Sequence, residues 1–517
     1  PPRSTLFPYT TLFRSQLNDP LYVKVYLRIL QKDNGSEGPT LERIFSIMEE
    51  LDNIYNPHGI YFNYCITSEL CSGCFDEYNH IIESEVNSLD IFTDGINGFI
   101  ANWSNNPPHE SIEIISRKFY ASALKYIVGH EIGHCLGLYH TFQDNYCDSE
   151  SEFAPYYVGG ILKYGANCSY TGDSICDTPA DPWYCGLGTD VNRETCEFSN
   201  PQIAIDYLGH PYIDPYGYLA KNVMSYYSVD CDYLITPGQA NRIKMIMLDP
   251  SKGMESVIQN EEFVPVFNGD YYVAINELWN YNKEVIFNGD IIITPNNTLT
   301  IQSEYRFLPG NKIVVQTNGH LYLDGATLDV SQTSNCSGSS SITYWQGIRL
   351  DGNSFLTSIN ETKIKNAYFA ISNTSFSGAY HWVNISDTWF LDNVQAVSII
   401  NSLPNFLHFT RTRFKNDPLT YSHGNIYRPA QIYFSNVYVP IFRECEIENN
   451  MEYLRPDGLQ TYNSNLWMLG NAIKRWDNGV YCVHNIRKET RSIINENPLI
   501  DFCTTGINIK NGSNCMS

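Results

Sequence analysis

Apolar and polar positions alternate in short stretches along the first quarter of the chain. Residues 21–30 read Leu-Tyr-Val-Lys-Val-Tyr-Leu-Arg-Ile-Leu, a partial alternation of the kind found in half-buried strands. Thr40 precedes a helical pattern that runs to about Tyr55, and its hydroxyl can cap that helix. Three further strands are predicted at residues 59–64, 88–92 and 98–103, and a second long helix is predicted to begin near Phe119.

The periodicity is lost after this helix. Residues 141–220 carry many cysteines and acidic residues in no regular order, so we expect loops there. A last helix is predicted after Pro237 and ends near Leu248. Strands mixed with long helices, followed by loops, predict an α+β domain over residues 16–255.

Past about Glu262 the chain consists of β-branched and aromatic runs broken by Asn-Gly and Pro-Gly. A small residue, a large apolar residue and then Asn or Asp recur there at alternate positions. The Asn or Asp positions step by 26, 24 and 33 residues, about one turn of a right-handed parallel β-helix. The four copies are Thr362-x-Ile364-x-Asn366, Thr388-x-Phe390-x-Asp392, Thr412-x-Phe414-x-Asn416 and Cys445-x-Ile447-x-Asn449.

This repeat predicts an all-β, right-handed parallel β-helix over residues 270–517, after a linker at 256–269. The runs at 290–301 and 312–328 have the pattern expected of its first turns. Ser517 follows no recognisable cap, so we expect the domain to be truncated at its C-terminus. A β-sandwich, or two, is the alternative, because short strands between turns can imitate such a repeat.

The composition narrows the class of protein. The chain has 517 residues, which predicts two or three domains, and a formal net charge of −23. Nucleic acids and anionic membranes bind basic surfaces, so we expect neither as a partner. Fifteen cysteines without zinc-finger spacing favour disulfides in an oxidising compartment. Their odd number predicts a free thiol, for which Cys135 is a candidate, or a partner in missing sequence.

The first fifteen residues differ from the rest of the chain and do not look native. Residues 1–15 look like translated sequencing-adapter read-through, a non-native segment that we exclude from fold reasoning. The sequence contains no recognisable signal peptide and no apolar stretch long enough to span a membrane. We expect the native start to be missing, and from the cysteines we expect a secreted or cell-surface protein, of bacterial origin.

Residues 130–140 contain the spacing HExxHxxGxxH, which is typical of a catalytic zinc site. On a helix, His130 and His134 project from one face, about one turn apart. A helix that continued would carry His140 about 15 Å from His130, so the helix must end, and Gly137 is the residue that can end it. Three histidines leave one tetrahedral position for water.

Two alternatives to this interpretation stay open. Ordinary core and surface histidines could match the spacing by chance, although only 12 residues of the chain are histidine. The zinc could also be structural, in a binding protein without peptidase activity, but that would require a fourth protein ligand.

Three stretches of the chain resemble the pappalysin family of metzincin zinc peptidases, in particular its ulilysin-like members. The resemblance covers most of residues 16–250. It is carried by residues 129–142 (GHEIGHCLGLYHTF), by 172–179 (GDSICDTP) and by 222–242, which begin with Asn-Val-Met-Ser-Tyr-Tyr and end with Thr-Pro-Gly-Gln-Ala-Asn-Arg. The resemblance implies a mixed sheet, an active-site helix and a loop-rich lower subdomain.

The resemblance also implies roles for single residues in the active site. His130, His134 and His140 would bind zinc, and Glu131 would act as general base and then general acid. Met224 would form the methionine turn beneath the histidines. Tyr226 would stabilise the oxyanion of the tetrahedral intermediate, although one core tyrosine among 38 is the alternative.

Further residues match less specific features of ulilysin-like members. Asp173, Asp177, Thr178 and the Cys176 carbonyl match a calcium loop, for which a plain turn is the alternative. Asp230 matches an acid that favours Arg or Lys after the scissile bond, and a solvated surface aspartate is the alternative. The family pattern suggests the disulfides Cys168–Cys196 and Cys185–Cys231. Residues 98–103 are expected to be the edge strand that pairs with substrate.

These observations predict a secreted zinc endopeptidase that acts on proteins or peptides, with Zn²⁺ and Ca²⁺ as cofactors. The alternative function comes from the second half of the chain. A parallel β-helix can bind polysaccharide or a cell surface, and the peptidase domain would then be subsidiary. No paired carboxylates recur in successive turns, which disfavours a glycosidase.

Overall fold

The computed structural model groups the chain into two compact units, and each is described by itself. The first unit comprises Pro1–Pro39 and Arg43–Phe263, and the second comprises Thr40–Glu42 and Val264–Ser517. The division between Phe263 and Val264 falls within the stretch that we predict as a linker. The described residues are 19–33, 37–76, 82–101, 115–183, 191–192, 195–198, 205–214, 217–227, 232–331, 344–374, 379–402, 406–416, 430–437, 440–449, 457–464, 466–476, 478–483, 491–495, 499–501, 503, 505–510 and 514–516.

Helices and strands are interspersed up to Phe263. The elements are β1 (Leu21–Gln31), α1 (Leu41–Tyr55), β2 (Ile60–Leu70), α2 (Glu83–Ser88), β3 (Ile96–Ala101), β4 (Lys118–Ser122), α3 (Lys125–Cys135), β5 (Tyr156–Val158), β6 (Ile161–Lys163), β7 (Val191–Asn192), β8 (Glu197–Phe198), α4 (Tyr218–Lys221), α5 (Pro237–Met247) and β9 (Ile258–Gln259), with 3-10 turns at Asn56–His58, Ser72–Cys74, Pro250–Lys252 and Glu255–Val257.

The main sheet of the first unit has the order β2-β1-β3-β4 with all neighbours parallel, and β9 adds an antiparallel pair to β1. The strand β1 is buried along nearly its whole length, not half-buried as its alternation predicts. Its polar positions are buried because acids neutralise them: Lys24 forms a salt bridge of 2.7 Å with Asp94, and Arg28 forms one with Glu69.

Three predictions for this unit are wrong in their details. Residues 88–92 form no strand, because the side chain of Asn97 hydrogen-bonds both the N–H and the carbonyl of Phe92 at 2.9 Å. Phe119 lies in β4, and the helix begins only at Lys125. Strand β3 pairs with β1 on one side and β4 on the other, so it is no edge and cannot add a substrate strand.

From Val264 onwards, the second unit has no helix among its described residues and forms strands joined by turns. They are β10 (Val266–Asn268), β11 (Tyr271–Val273), β12 (Glu277–Trp279), β13 (Val285–Asn288), β14 (Ile291–Ile293), β15 (Thr298–Ile301), β16 (Glu304–Phe307), β17 (Lys312–Val315), β18 (His320–Asp324), β19 (Thr327–Val330), β20 (Gly347–Leu350), β21 (Ser354–Ile359), β22 (Lys363–Lys365), β23 (Phe369–Asn373), β24 (His381–Ser386), β25 (Trp389–Leu391), β26 (Gln395–Ile400), β27 (Phe406–Thr410), β28 (Arg413–Asn416), β29 (Ile432–Ser435), β30 (Ile441–Arg443), β31 (Glu446–Asn449), β32 (Leu459–Tyr462), β33 (Trp467–Leu469), β34 (Ala472–Lys474), β35 (Asn478–Val483), β36 (Arg491–Asn495), β37 (Leu499–Asp501), β38 (Thr505–Lys510) and β39 (Asn514–Met516).

These strands form three parallel sheets, and each strand pairs with the strand three places later in the chain. The first sheet runs from β10 to β37, the second from β11 to β38 and the third from β12 to β39. Three strands per turn, all parallel, are consistent with a parallel β-helix. They exclude the β-sandwich alternative, which requires antiparallel pairs.

The predicted repeat occupies the first sheet in register. Ile364 pairs with Phe390, Phe390 with Phe414 and Phe414 with Ile447, so the large apolar positions stack inside the unit. The rings of Phe390 and Phe414 lie 4.9 Å apart and nearly parallel. The small residue before each strand is buried, and the hydroxyl of Thr362 donates to the Ile359 carbonyl at 2.7 Å.

The Asn or Asp of the repeat lies at a turn in two copies, whereas Asn416 and Asn449 are the last residues of β28 and β31. Asn366 and Asp392 have φ of 50° and 56°, a left-handed conformation that these side chains tolerate better than most. No helix in the described part of the chain is long and apolar enough to cross a membrane.

Candidate functional site

The helix α3 ends in the way that the spacing requires. Gly137 has φ of 95°, its N–H donates to the His134 carbonyl, and the N–H of Leu138 donates to the Gly133 carbonyl, both at 2.9 Å. These two bonds form a Schellman motif, which closes a helix and turns the chain away from its axis. A Cβ at Gly137 would lie 2.3 Å from a methyl of Ile246, which would have to move, and the positive φ would strain any other residue there.

The turn brings the three histidines of the motif together. The Nε2 atoms of His130, His134 and His140 form a triangle with every side 3.1 Å long. His130 Nδ1 lies 2.7 Å from the Val223 carbonyl oxygen, and His134 Nδ1 lies 2.8 Å from the Leu138 carbonyl oxygen. A carbonyl can only accept, so Nδ1 carries the proton and Nε2 presents a lone pair.

The histidine triangle fits one metal ion. Two nitrogens on a tetrahedral zinc ion lie about 3.3 Å apart when each N–Zn distance is about 2.0–2.1 Å. Burial, and then the neighbouring imidazoles, hold the pKa of His130 well below its usual value. Burial also lowers the pKa of His134, and burial with His134 lowers the pKa of His140 to about 3. All three rings are therefore neutral near pH 7, as metal ligands must be.

Glu131 lies on the same helix as the first two histidines. Its side chain is half-buried, and burial raises the pKa of its carboxyl to about 8. A carboxyl whose pKa lies near neutral pH can both accept and return a proton during a reaction. Among the described residues, the histidine triangle is the one group of three or more ligand side chains that could hold a metal.

Met224 packs directly beneath this helix. A Cβ at Gly133 would lie 2.4 Å from the Met224 sulfur, so the glycine makes the space that the thioether fills. The Met224 carbonyl accepts at 3.2 Å from the N–H of Thr141, the residue that follows His140. Asn222 holds the turn by accepting from the Met224 N–H at 3.0 Å. The soft side chain thus supports the floor of the site.

Tyr226 reaches the histidine triangle from the other side. Its hydroxyl oxygen lies 3.1 Å from His140 Nε2, and its ring lies 4.7 Å from the ring of Phe142. The side chain is 40% exposed, so the hydroxyl can also meet a bound molecule. The structure thus brings a phenolic hydroxyl to the edge of the histidine triangle.

Three curated proteins, each named extracellular metalloprotease, are similar to part of the chain. The protein from Podospora anserina is 35% identical over 115 residues, 22% of this chain and 26% of its own length. Those from Verticillium alfalfae and Colletotrichum graminicola are 32% and 33% identical over 114 and 116 residues, again 22% of this chain and 27% and 28% of theirs. The chain is similar to extracellular metalloproteases.

These similarities have a limited extent. The chain spans about a quarter of the length of the curated relatives that it matches. No protein-family model matches it. The relatives support a secreted metallopeptidase, and the histidine triangle supports a metal that zinc fits. The pappalysin resemblance, calcium and a bacterial source remain predictions.

The residues predicted to bind calcium lie around the start of α5. Asp177 accepts from the Thr236 hydroxyl at 2.8 Å and from the Gly238 N–H at 2.7 Å, so both of its oxygens serve the helix N-terminus. Asp173 is fully buried, and its Oδ2 has no hydrogen-bond partner among the described residues. Thr178 is buried as well.

The cysteine pairing differs from the family pattern. Cys168 bonds to Cys176 and not to Cys196, because the turn over residues 168–176 brings the two Cα atoms within 4.9 Å. A second disulfide joins Cys71 to Cys74, and Cys135 is free and buried as predicted. Cys185, Cys231 and Asp230 lie outside the described residues.

The sequence alone did not reveal Asp181, which lies near the site. Its carboxylate is buried and accepts hydrogen bonds from Thr141 and Tyr227. The segment Asp177-Thr-Pro-Ala-Asp181 offered no signal for this role, because the donors come from distant parts of the chain.

Proposed function

We propose that the protein is a secreted zinc endopeptidase of the metzincin class, with a pappalysin-like site. The observation that carries the proposal is the histidine triangle with sides of 3.1 Å, with Glu131 on the same helix and the Tyr226 hydroxyl 3.1 Å from His140. His130, His134 and His140 would hold the zinc ion. One ligand position stays free for water, which distinguishes a catalytic from a structural zinc site.

The residues of the site divide the chemistry of peptide hydrolysis between them. When bound, zinc supplies Lewis acidity, which acidifies a water and polarises the scissile carbonyl. The Glu131 carboxylate takes a proton from the attacking water and returns it to the leaving nitrogen. The Tyr226 hydroxyl donates a hydrogen bond to the oxyanion of the tetrahedral intermediate. The Val223 and Leu138 carbonyls keep two imidazoles oriented throughout.

Cleavage of casein by the full chain tests this proposal. We expect activity that a zinc chelator abolishes and added zinc restores, and a loss of about 10²–10⁴-fold for Glu131→Ala. Glu448→Ala, in strand β31 of the second unit, serves as a control and should retain full activity. An inactive protein with zinc bound, or equal activity in Glu131→Ala, would overturn the assignment.

The two finer predictions also have direct tests. We propose that Asp230 favours Arg or Lys after the scissile bond, and a peptide library cleaved by Asp230→Asn and by the unchanged chain measures this preference. We propose calcium at Asp173 and Asp177, where the buried Asp173 Oδ2 has no donor among the described residues. Calcium should then raise the melting temperature of the unchanged chain and not that of Asp173→Asn.

A second candidate function comes from the unequal outer faces of the β-helix. The outer face of the first sheet is charged, with salt bridges such as Lys365–Asp329 at 2.8 Å and Lys474–Glu446 at 3.0 Å. The outward positions of β18, β21, β24 and β27 in the third sheet, which we call the aromatic face, contain one charged residue. They are His320, Tyr322, Asp324, Phe355, Thr357, Ile359, Trp382, Asn384, Ser386, Phe406, His408 and Thr410.

We propose that the aromatic face binds an uncharged polysaccharide. Phe355 and Trp382 are 38% and 47% exposed, and they lie in register on adjacent strands. Rings combined with neutral hydroxyl, amide and imidazole groups suit sugars, which present apolar C–H faces and hydroxyls without charge. A protein surface that only faces water usually carries more charged residues than the aromatic face does, and the outer face of the first sheet is an example.

Co-sedimentation with insoluble uncharged glucans tests this second candidate. We expect the full chain to bind and Trp382→Ala to bind at least about tenfold more weakly. Trp389→Ala is the matched control, because Trp389 points outward from the first sheet with Arg413 4.2 Å above its ring. No binding by the unchanged chain, or equal weakening by both variants, would contradict the proposal.

A further inference from the structure

Asp181 is a buried carboxylate that connects three segments around the metal site. Its side chain is fully buried. The Tyr227 hydroxyl and the Trp183 N–H donate to Oδ1, the latter at 3.1 Å, and the Thr141 hydroxyl donates to Oδ2. In addition, the Asn145 amide donates to the Asp181 carbonyl at 2.7 Å.

The three residues that donate to the Asp181 carboxylate each follow or contact a residue of the site. Thr141 follows the third histidine, and its N–H also donates to the Met224 carbonyl. Tyr227 follows Tyr226 in the chain. Trp183 packs its ring 5.7 Å from that of Tyr226 and 5.2 Å from that of Tyr227. One carboxylate therefore joins the segment after His140 to the segment that carries Tyr226.

The Asp181 carboxylate forms no salt bridge in the described part of the chain: no Lys or Arg there lies within salt-bridge distance of it. Burying a carboxylate without such a partner is costly unless hydrogen bonds compensate it. Here three donors do so, and all three come from the immediate neighbourhood of the metal site. An apolar side chain of similar size would fill the space equally well but would remove the hydrogen bonds that both hydroxyls make to Asp181.

We propose that Asp181 is a positioning residue that holds the Tyr226 hydroxyl in place relative to His140. The proposal rests on the proposed peptidase function for its kinetic consequence, but not for its structural one. Asp181 does not touch the metal position itself. It acts through Tyr227 and Trp183 on one side and through Thr141 on the other.

A double-mutant cycle with Tyr226→Phe tests the kinetic consequence. Asp181→Asn keeps the volume of the side chain but replaces one acceptor by a donor, so one hydroxyl loses its partner. We expect kcat to fall about tenfold or more, with KM and the zinc content unchanged. Tyr226→Phe alone should cost about 10²–10³-fold in kcat. Asp181→Asn should then add less than about twofold, because the hydroxyl that it positions is already absent.

Two further variants keep this result interpretable. Tyr227→Phe removes one donor and should reproduce part of the loss, even if Asp181→Asn folds poorly. Asp206→Asn is the matched control, because Asp206 is also buried and accepts from the backbone N–H groups of Ala154, Leu208 and His210. Its Oδ2 lies 3.4 Å from His210 Nδ1, and none of these partners is a residue of the metal site. It should lower stability and leave kcat unchanged. Independent, multiplicative losses from Asp181→Asn and Tyr226→Phe would overturn the proposal.

A crystal structure of zinc-loaded Asp181→Asn provides a readout that does not depend on turnover. We expect the Tyr226 hydroxyl to move at least about 1 Å from its position 3.1 Å from His140 Nε2. A hydroxyl that stays in place would refute the positioning role. If the unchanged chain binds zinc and cleaves no peptide, the proposed function fails, and this structural measurement still decides the inference.

Discussion

The metal site and the β-helix are stabilised in opposite ways. Each contact in the metal site occurs once, as when His134 Nδ1 donates to the Leu138 carbonyl or Met224 fills the space beside Gly133. In the β-helix the same contact recurs from turn to turn, as in the column of Ile364, Phe390, Phe414 and Ile447. Loss of a unique contact therefore disturbs one site, whereas loss of a repeated contact opens a cavity between turns that stack on both sides of it.

The largest expected effect tests whether a single turn of the repeat is dispensable. Phe390→Ala removes a fully buried ring that stacks on Phe414 at 4.9 Å. We expect a loss of about 3–5 kcal/mol in the free energy of unfolding, because neighbouring turns cannot close the cavity. Denaturant unfolding measures it, with the outward-facing Leu391→Ala as control. A loss below about 1 kcal/mol would show that the neighbours compensate, and casein cleavage should be unchanged in both variants.

The second prediction concerns Glu277, a buried acid in the first turn of the β-helix, where most buried residues are apolar. Burial raises the pKa of Glu277 to about 7, although Tyr271 and Trp279 donate to its carboxylate at 2.7 and 2.8 Å. The folded state therefore holds the proton more tightly than the unfolded state, whose pKa is about 4.3. Stability should fall by about 3 kcal/mol as the pH rises from about 4.3 to about 7.

Unfolding of Glu277→Gln across the same pH range is the comparison for this prediction. The amide does not titrate, so the part of the slope that Glu277 causes should disappear. Identical pH profiles for the variant and the unchanged chain would mean that Glu277 is ionised in the folded protein at these pH values.

The third prediction tests the unique packing beneath the metal site. In Gly133→Ala the new Cβ would lie 2.4 Å from the Met224 sulfur, so the Met224 side chain or its turn must shift. We expect a loss of about 1–3 kcal/mol in stability, together with weaker zinc binding measured by chelator competition. Gly129→Ala is the matched control on the same helix, because its Cβ would meet only flexible side-chain ends of Ile54 and Val223 at 3.1 Å. Equal effects of the two substitutions would contradict this view of the turn.

The smallest expected effect lies on the charged face of the β-helix. Lys474→Met removes a salt bridge of 3.0 Å to Glu446, in which both side chains are partly exposed. Such pairs contribute about 0–1 kcal/mol, and we expect a change in the free energy of unfolding within that range. A larger loss, measured by the same denaturant unfolding, would mean that the ion pairs of the first sheet act as a connected network.

The sequence was most informative where chemistry or repetition constrains the residue type. The spacing of His130, Glu131, His134, Gly137 and His140 predicted the helix, its end and the meeting of three imidazoles, because each step follows from helix geometry. The repeat around Ile364 and Phe390 predicted parallel strands in register, because only a large apolar residue fills each inward position.

The sequence failed where a distant contact decides the local structure. Residues 88–92 have the apolar content of a strand, but the Asn97 side chain hydrogen-bonds the N–H and the carbonyl of Phe92, which a strand neighbour would otherwise pair with. The donors to Asp181 lie 40 and 46 residues away from it, at Thr141 and Tyr227, and no local pattern connects them. The pairing of Cys168 likewise depends on a turn that brings Cys176 near it. The amino-acid composition of the segment does not predict this turn.

The orientation of the histidine ligands also bears on how this site can vary in sequence. His130 and His134 are held by the main-chain oxygens of Val223 and Leu138, not by side chains. Exchange of Val223 or Leu138 for another residue changes the packing but leaves both acceptors where they are. The tautomers of His130 and His134 therefore do not depend on which side chains stand at positions 223 and 138. Related proteins can differ at those two positions and keep the same metal chemistry.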